Sequence, residues 1–132
     1  MARRDPVVVD ASAYVDALTT GMPGSLVVER LRGHSLHAPA HLDAEVLSAL
    51  ARLHRAGALT DRQVAARLRH VAAAPIQRHP VAPLLAGAWK RRHNIRMVDA
   101  VYVELSTRLG GVPLITTDAR LAGVVPNADV VG

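Results

Sequence analysis

Short runs rich in aliphatic and β-branched residues alternate along the chain with longer segments in which apolar residues recur every three or four positions. Such runs predict buried strands at residues 7–9, 114–116 and 128–131. Residues 76–81 form a further candidate strand, and residues 37–39 are expected to be extended. The pattern therefore predicts four or five short strands.

Helices are predicted between these strands. The clearest covers residues 39–54 and ends before Gly57, a residue type favoured at helix C-termini. Its apolar stripe consists of Leu42, Val46, Ala49, Leu50 and Leu53. The next helix begins with a capping-box pattern at Thr60 and Gln63, and Pro75 ends it. Other helices are predicted to run from a cap at Asp10 or Ser12 to about residue 18, and over residues 25–32, 83–92 and 98–109.

Alternation of strands and helices is typical of a parallel sheet covered by helices on both faces. The predicted fold class is therefore α/β, a three-layer sandwich with a short parallel sheet of four or five strands, in a single domain over residues 1–132. In such folds ligands bind beyond the carboxyl ends of the strands. Polar residues that directly follow the strands are therefore the first candidates for chemistry.

Composition excludes several classes of protein. The chain has no cysteine, which rules out disulfide frameworks, thiolate zinc sites, iron–sulfur clusters and cysteine nucleophiles, and is consistent with a cytoplasmic location. The longest stretch without a charged residue, residues 17–28, is far shorter than the ~20 residues that cross a bilayer. No contact with a membrane is expected.

Charge favours a polyanionic partner. The net charge is +5, and all of the 16 cations except Lys90 are arginine, so nucleic acid is the first partner to consider. GC-rich coding or an acidic protein partner explains the same bias. Because the chain has no Phe, one Trp and two Tyr, it cannot form the aromatic platforms on which many single-strand binders stack bases. Contact with nucleic acid is therefore expected to depend on charge and metal.

Four acids occupy positions that fit a shared site. Asp10 follows the first predicted strand and Asp118 follows a later one, so both emerge at the same edge of a parallel sheet. Asp99 lies at the start of a long helix, where backbone dipoles favour an anion. Glu45 flanks the apolar stripe of another helix, where a partly buried carboxylate is expected to be paired or bound to a cation.

Each acid also has a purely structural interpretation. Asp10 and Asp99 are equally well explained as helix caps, and Asp118 as the cap of the turn that follows its strand. Glu45 and Asp43 flank opposite sides of the same apolar stripe. Helical geometry therefore does not decide which of these two faces the site and which is solvated.

Five segments that span essentially the whole chain carry a more specific signal. They are VVVDASA from Val7, HAPAHLDAEVLSAL from His37, RHPVAPLLAGAW from Arg78, NIRMVDAVYVEL from Asn94 and LITTDARLA from Leu114. Together and in this order they resemble the PIN-domain family, and more narrowly the VapC-like toxins of type II toxin–antitoxin modules. The resemblance implies a PIN-like sandwich in which four acids cluster at the carboxyl edge of the sheet, bind Mg²⁺ or Mn²⁺ and hydrolyse RNA.

The resemblance assigns these roles residue by residue. The matching acids are Asp10, Glu45, Asp99 and Asp118, and the matching hydroxyl neighbours are Ser12 and Thr116. Val98 departs from the pattern, since many relatives have an aromatic residue before the third acid. This departure affects packing near the site more than metal binding.

The resemblance also implies partners. The expected protein is a growth-inhibitory cytoplasmic endoribonuclease, a homodimer held inactive by a cognate antitoxin. A basic side chain of that antitoxin, an Arg above all, is expected to enter the pocket of acids, because a guanidinium pairs well with carboxylates. The helices at residues 25–32 and 60–74 are expected to form a groove for an amphipathic antitoxin segment.

Functions of other classes fit the sequence less well. A receiver-like Mg²⁺ signalling domain needs an acidic pair after the first strand and a lysine after a late strand, but Asp10 stands alone and Lys90 lies in a predicted helix. A haloacid-type phosphatase needs a second acid where Ser12 stands. A non-catalytic PIN scaffold is disfavoured because all four acids are present.

Three other features have two interpretations. The histidines at positions 34, 37 and 41 have ligand-like spacing, but the family motif alone accounts for the second. The basic residues 90–93, with Arg96, either bind phosphate or form a solvated helix end. Trp89 is expected to be a core residue rather than a base-stacking one.

Overall fold

The structure, a computed structural model, describes residues 4–19 and 21–132 as alternating strands and helices. The strands are β1 (Pro6–Val9), β2 (Ser35–Pro39), β3 (Ile76–His79), β4 (Leu114–Thr116) and β5 (Ala128–Val130). The α-helices are α1 (Ala11–Ala17), α2 (Gly24–Leu31), α3 (Leu42–Arg55), α4 (Asp61–Ala73), α5 (Leu85–Trp89) and α6 (Met97–Arg108). Two short 3₁₀ helices cover Ala82–Leu84 and Ala119–Gly123.

The five strands form one parallel sheet in the order β3-β2-β1-β4-β5. The chain runs outward from the central β1 to β2 and β3, then returns to the other side of β1 to form β4 and β5. The order therefore reverses between β1 and β4, where Val9 lies opposite Ile115. A crevice beyond the carboxyl ends of the strands is expected at such a reversal.

Both faces of the sheet are covered. Val7, Val8 and Val9 are all buried, although successive residues of a strand point to opposite faces. Helix α6 packs against β1, β2 and β4, and α1 packs against β4. The predicted α/β class and three-layer arrangement are confirmed.

Proline sets two boundaries that differ from the prediction. The helix predicted from residue 39 begins at Leu42, because Pro39 is the last residue of β2 and lies opposite His79 of β3. The strand predicted over residues 76–81 ends at His79, before Pro80, which has no N–H to donate. Helix α3 does end where predicted, with Gly57 at a φ of +78°.

The segment around Trp89 departs most from the prediction. The helix predicted over residues 83–92 is a 3₁₀ turn followed by the short α5. Leu84 and Ala88 are the buried residues of this segment, which leaves Trp89 59% exposed, and the expectation that it is a core residue is wrong. The Arg92 guanidinium lies 4.4 Å from the centre of the indole ring.

No helix within residues 4–19 and 21–132 combines the length and the apolar character needed to cross a membrane.

Candidate active site

Asp10 stands at the carboxyl end of β1 and also begins α1. Its Oδ1 accepts hydrogen bonds from the Ala13 amide (2.9 Å) and from the Ser12 hydroxyl (2.8 Å). Its own amide donates to the Ile115 carbonyl of the neighbouring strand (3.1 Å). The capping role and the position at the sheet edge are therefore compatible, and Asp10 is only 6% exposed.

Asp118 occupies the equivalent place after β4. The Thr116 hydroxyl accepts a hydrogen bond from the Asp118 amide (3.0 Å), and Asp118 Oδ1 accepts one from the Arg120 amide (3.0 Å). Ser12 joins the two strand ends, because its hydroxyl accepts from the Thr117 amide (3.3 Å) and lies 3.4 Å from the Thr116 hydroxyl. Both predicted hydroxyl neighbours are thus between the two acids.

Glu45 comes from the first turn of α3. Its Oε1 accepts a 2.6 Å hydrogen bond from the Tyr102 hydroxyl of α6, and His41 Nε2 lies 3.3 Å from the same oxygen. The His41 ring also packs on Tyr102, with ring centres 4.8 Å apart. These two side chains fix the direction in which Glu45 points.

Asp99 is the third residue of α6, and Arg96 occupies the capping position before the helix. The interpretation of Asp99 as a helix cap is therefore wrong. Its Oδ2 accepts a 3.1 Å hydrogen bond from Arg96 Nε. The carboxylate nevertheless lies in the first turn, where the helix dipole favours a negative charge.

These four acids line a single cavity of about 290 Å³. The wall is completed by Ala11, Ser12, Val15, Asp16, Ala49, Arg52, Arg96 and Tyr102. Residues far apart in the sequence therefore meet at the carboxyl edge, at the reversal between β1 and β4.

The protonation of the acids differs with their surroundings. Burial raises the pKa of the Asp10 carboxyl, against the lowering effect of its hydrogen bonds. Hydrogen bonds from Arg120 lower the pKa of Asp118, whose Oδ1 and Oδ2 accept from the guanidinium at 2.9 and 2.7 Å. Burial and the contact with Glu45 raise the pKa of Tyr102, so its phenol stays protonated and donates.

The donor set suits a hard divalent cation, since Mg²⁺ and Mn²⁺ prefer carboxylate oxygens. As the side chains lie, however, the described part of the chain holds no group of three histidine or acidic side chains arranged around one ion. Arg96 and Arg120 form ion pairs with the carboxylates of Asp99 and Asp118, respectively. An ion bound by both acids would have to displace Arg120 from Asp118, whereas Asp99 Oδ1 accepts no hydrogen bond within the described residues.

Asp43 points away from the cavity. Its two oxygens accept hydrogen bonds from Arg78 Nε (2.9 Å) and Nη2 (3.0 Å), and Arg78 also donates to carbonyls of α4 and β3. Asp43 therefore forms a bidentate ion pair with Arg78, and its side chain is 45% exposed. Glu45 rather than Asp43 lies on the cavity.

The sequence suggested Arg96 only as a phosphate ligand or as part of a solvated helix end, and the structure instead pairs it with Asp99. Arg120 and the aromatic support of the site were missed. Arg96 and Arg120 lie three residues before and two residues after an acid, which is a local signal that could have been read. Tyr102 lies in the helix predicted over residues 98–109, and its partner Glu45 is 57 positions away. No local pattern contains that contact.

The histidines do not form the cluster that their spacing suggested. His37 Nδ1 lies 2.9 Å from His79 Nε2 on the neighbouring strand, whereas His34 Nδ1 lies 3.1 Å from the Arg32 carbonyl. Burial, and the nearby His79, lower the pKa of His37 and favour its neutral form. His41, as described above, packs beside Glu45.

A second concave region lies on the other side of α1. This apolar groove has a volume of about 640 Å³ between α1, α2 and α4. Its walls include Tyr14, Leu18, Val28, Leu31 and Leu36. Arg32, Arg67 and His70 also line the groove and give it basic character.

Comparison with known proteins places the chain in a family. Residues 7–125 match the model of the PIN domain. "Ribonuclease VapC3" of Mycobacterium tuberculosis is 52% identical over 129 residues, which cover 97% of this chain and 93% of that protein. Two solved structures also share the fold.

The crystal structure of Mycobacterium tuberculosis VapC20, described as a Sarcin-Ricin loop cleaving toxin, has a TM-score of 0.64 and 18% identity, and covers 90% of this chain and 95% of that one. A toxin-antitoxin complex from Klebsiella pneumoniae has a TM-score of 0.59 and 12% identity, and covers 94% and 96%. At these identities the two structures support the fold alone. With the family match and the close relative, they establish that the chain belongs to the PIN-domain family.

Proposed function

We propose that the protein is a Mg²⁺- or Mn²⁺-dependent endoribonuclease toxin that is neutralised by a cognate antitoxin. The observation that carries the proposal is the meeting of Asp10, Glu45, Asp99 and Asp118 on one cavity at the sheet edge. The relative named "Ribonuclease VapC3" supports RNA as the substrate. Growth inhibition, a homodimeric state and a cytoplasmic location belong to the same proposal.

The four acids are the residues that would hold the ion. A divalent cation held there would supply polarisation of the phosphodiester, activation of water and stabilisation of the leaving oxygen. Asp10 is fixed for this role by the Ala13 amide and the Ser12 hydroxyl. The Tyr102 hydroxyl orients Glu45, whose other oxygen accepts no hydrogen bond within the described residues.

Arg96 and Arg120 balance the charge of the cavity. Four carboxylates in one cleft repel one another, and each guanidinium removes part of this repulsion by pairing with one acid. Both arginines are largely exposed, so these pairs contribute little to stability and are readily exchanged. The pairing is thus consistent with a site that exchanges a guanidinium for a metal ion.

The same exchange suggests how an antitoxin inhibits the enzyme. An Arg of the antitoxin that enters the cavity would compete with the ion for Asp10, Glu45, Asp99 and Asp118. The apolar groove is proposed to hold an amphipathic antitoxin segment, and its basic residues favour a segment that also carries acids. One structure with the same fold was solved as a toxin-antitoxin complex, and this chain is proposed to bind a protein partner of the same kind.

Incubation of the purified protein with RNA tests the activity. We expect cleavage with Mg²⁺ or Mn²⁺ and none with EDTA, and restored cleavage when the ion is returned in excess. Full activity in EDTA would contradict the proposal. With a cognate antitoxin, we expect inhibition to weaken as Mg²⁺ rises, and an inhibition constant that is indifferent to metal would show that RNA is blocked from elsewhere.

A further inference from the structure

Helix α3 brings a positive charge to the cavity of acids. Glu45, Ala49 and Arg52 follow one another at intervals of four and three residues, and all three line the cavity. Seven residues of α-helix rise ~10 Å, so Arg52 lies about two turns beyond Glu45 along the helix axis. The arginine therefore belongs to the rim of the cavity rather than to its acidic centre.

Arg52 has no charged partner in the part of the chain that the structure describes. Arg96 and Arg120, which also lie near the acids, are paired with Asp99 and Asp118. The Arg52 side chain is exposed, and makes no ion pair and no side-chain hydrogen bond with any residue in 4–19 or 21–132. Within the described residues it is thus an unpaired guanidinium beside five carboxylates, those of the four acids and of Asp16, which repel a polyanionic substrate.

We propose that Arg52 binds a phosphate of the RNA next to the one that is cleaved, an inference that rests on the proposed ribonuclease function. If the strand crosses the cavity along α3, a phosphate next to the cleaved one comes within reach of Arg52. A guanidinium donates two parallel hydrogen bonds to a phosphate, which fixes the position of the strand as well as attracting it. Arg52 is therefore a substrate-positioning residue.

Arg55 provides a matched control on the same helix. It is also exposed and has no ion-pair partner in the described chain, but it does not line the cavity. Arg52→Ala and Arg55→Ala each lower the net charge by one, and so they weaken the long-range attraction of RNA equally. A difference between them therefore reports local contact with the strand.

The experiment measures binding of a short single-stranded RNA by fluorescence anisotropy at several salt concentrations, with Mg²⁺ present. All substitutions are made in the full chain with Asp99→Asn, which under the proposed function binds RNA without cleaving it. We expect Arg52→Ala to weaken binding by about tenfold and to reduce the slope of log K against log salt by about 0.7, the value for one phosphate contact on a single strand. Arg55→Ala should change neither quantity comparably, and Arg52→Lys should restore most of the slope.

Cleavage by chains that retain Asp99 gives the second readout. A positioning role predicts that Arg52→Ala raises KM about tenfold and changes kcat much less. Two results would overturn the inference: equal changes in the salt slope for Arg52→Ala and Arg55→Ala, or an unchanged slope for Arg52→Ala. In either case, metal-dependent cleavage by the unsubstituted protein would leave the proposed function standing. Absence of that cleavage would overturn both.

Discussion

The cavity of acids and the apolar groove lie on opposite sides of α1. Ser12 and Asp16 of this helix line the cavity, whereas Tyr14, and Leu18 directly after the helix, line the groove. One seven-residue helix therefore separates two regions of opposite character, because residues four apart share a face.

The two regions hold their shape in different ways. In the cavity each of the four acids accepts a hydrogen bond from a specific donor, and these bonds fix the direction of each charged carboxylate. In the groove, apolar side chains remain partly exposed, and Val28 is 44% accessible. Substitutions in the cavity should therefore alter chemistry, and substitutions in the groove should alter partner binding.

The largest effect is expected for Asp99→Asn. The substitution preserves shape but removes a charge from the cavity, and we expect RNA cleavage to fall by at least about 100-fold. The free energy of unfolding should change by less than about 1 kcal/mol, because the lost partner Arg96 is mostly exposed. Rates from a metal-dependent cleavage assay and urea unfolding measure the two quantities, and a wild-type rate would refute the assignment of Asp99.

Glu45→Gln and Asp43→Asn separate two acids on the same turn of α3. Glu45→Gln should lower cleavage by about 100-fold, because only this side chain faces the cavity. Asp43→Asn should leave cleavage near normal and lower stability by about 1 kcal/mol, through loss of the bidentate pair with Arg78. Equal losses of cleavage activity for both variants, at unchanged stability, would show that Asp43 contributes to cleavage as much as Glu45.

Val28→Glu tests the groove. A charge placed on its apolar wall should weaken binding of the cognate antitoxin by about tenfold or more, since the carboxylate must be desolvated in the complex. RNA cleavage by the free protein should be unchanged, because Val28 is separated from the acids by α1. Calorimetry gives the affinity, Val28→Ala serves as a control, and unaltered affinity for Val28→Glu would remove the groove from the antitoxin interface.

The smallest effect concerns Glu104 of α6, which lines neither region. Burial opposes ionisation, but hydrogen bonds from Arg108 (2.8 Å) and Arg91 (3.1 Å) outweigh it and lower the pKa of Glu104 below its usual 4.5. A lowered folded-state pKa contributes stability above about pH 4.5 that is lost as the pH falls through the folded-state value. Glu104→Gln should therefore destabilise the protein by about 1 kcal/mol or less at neutral pH and progressively less in acid.

Urea unfolding at neutral and acid pH measures this difference. A constant gap between the wild type and Glu104→Gln at all pH values would show that the arginines do not favour the ionised form of Glu104.

Much of this protein was determined by local sequence. Alternation of apolar runs and helical stripes is enough for the α/β class, and the Thr60 capping box forms as predicted, with hydrogen bonds of 2.8 and 3.1 Å. Asp10 and Asp118 reach one edge because parallel strands share the direction of their carboxyl ends. The choice of Glu45 needed the family resemblance, since the helical period left Asp43 equally possible.

Contacts between distant residues decided the rest. Asp43 meets Arg78 across 35 positions, and Tyr102 meets Glu45 across 57, so only the packing of α3 against its neighbours assigns each acid its partner. Trp89 is exposed because the end of α5 turns Ala88 inward, and Arg52 reaches the cavity because α3 lies beside α1. The periodicity of the sequence determines which residues share a face of a helix. Only the tertiary structure determines which element that face packs against, because contacts between side chains far apart in the sequence leave no local pattern.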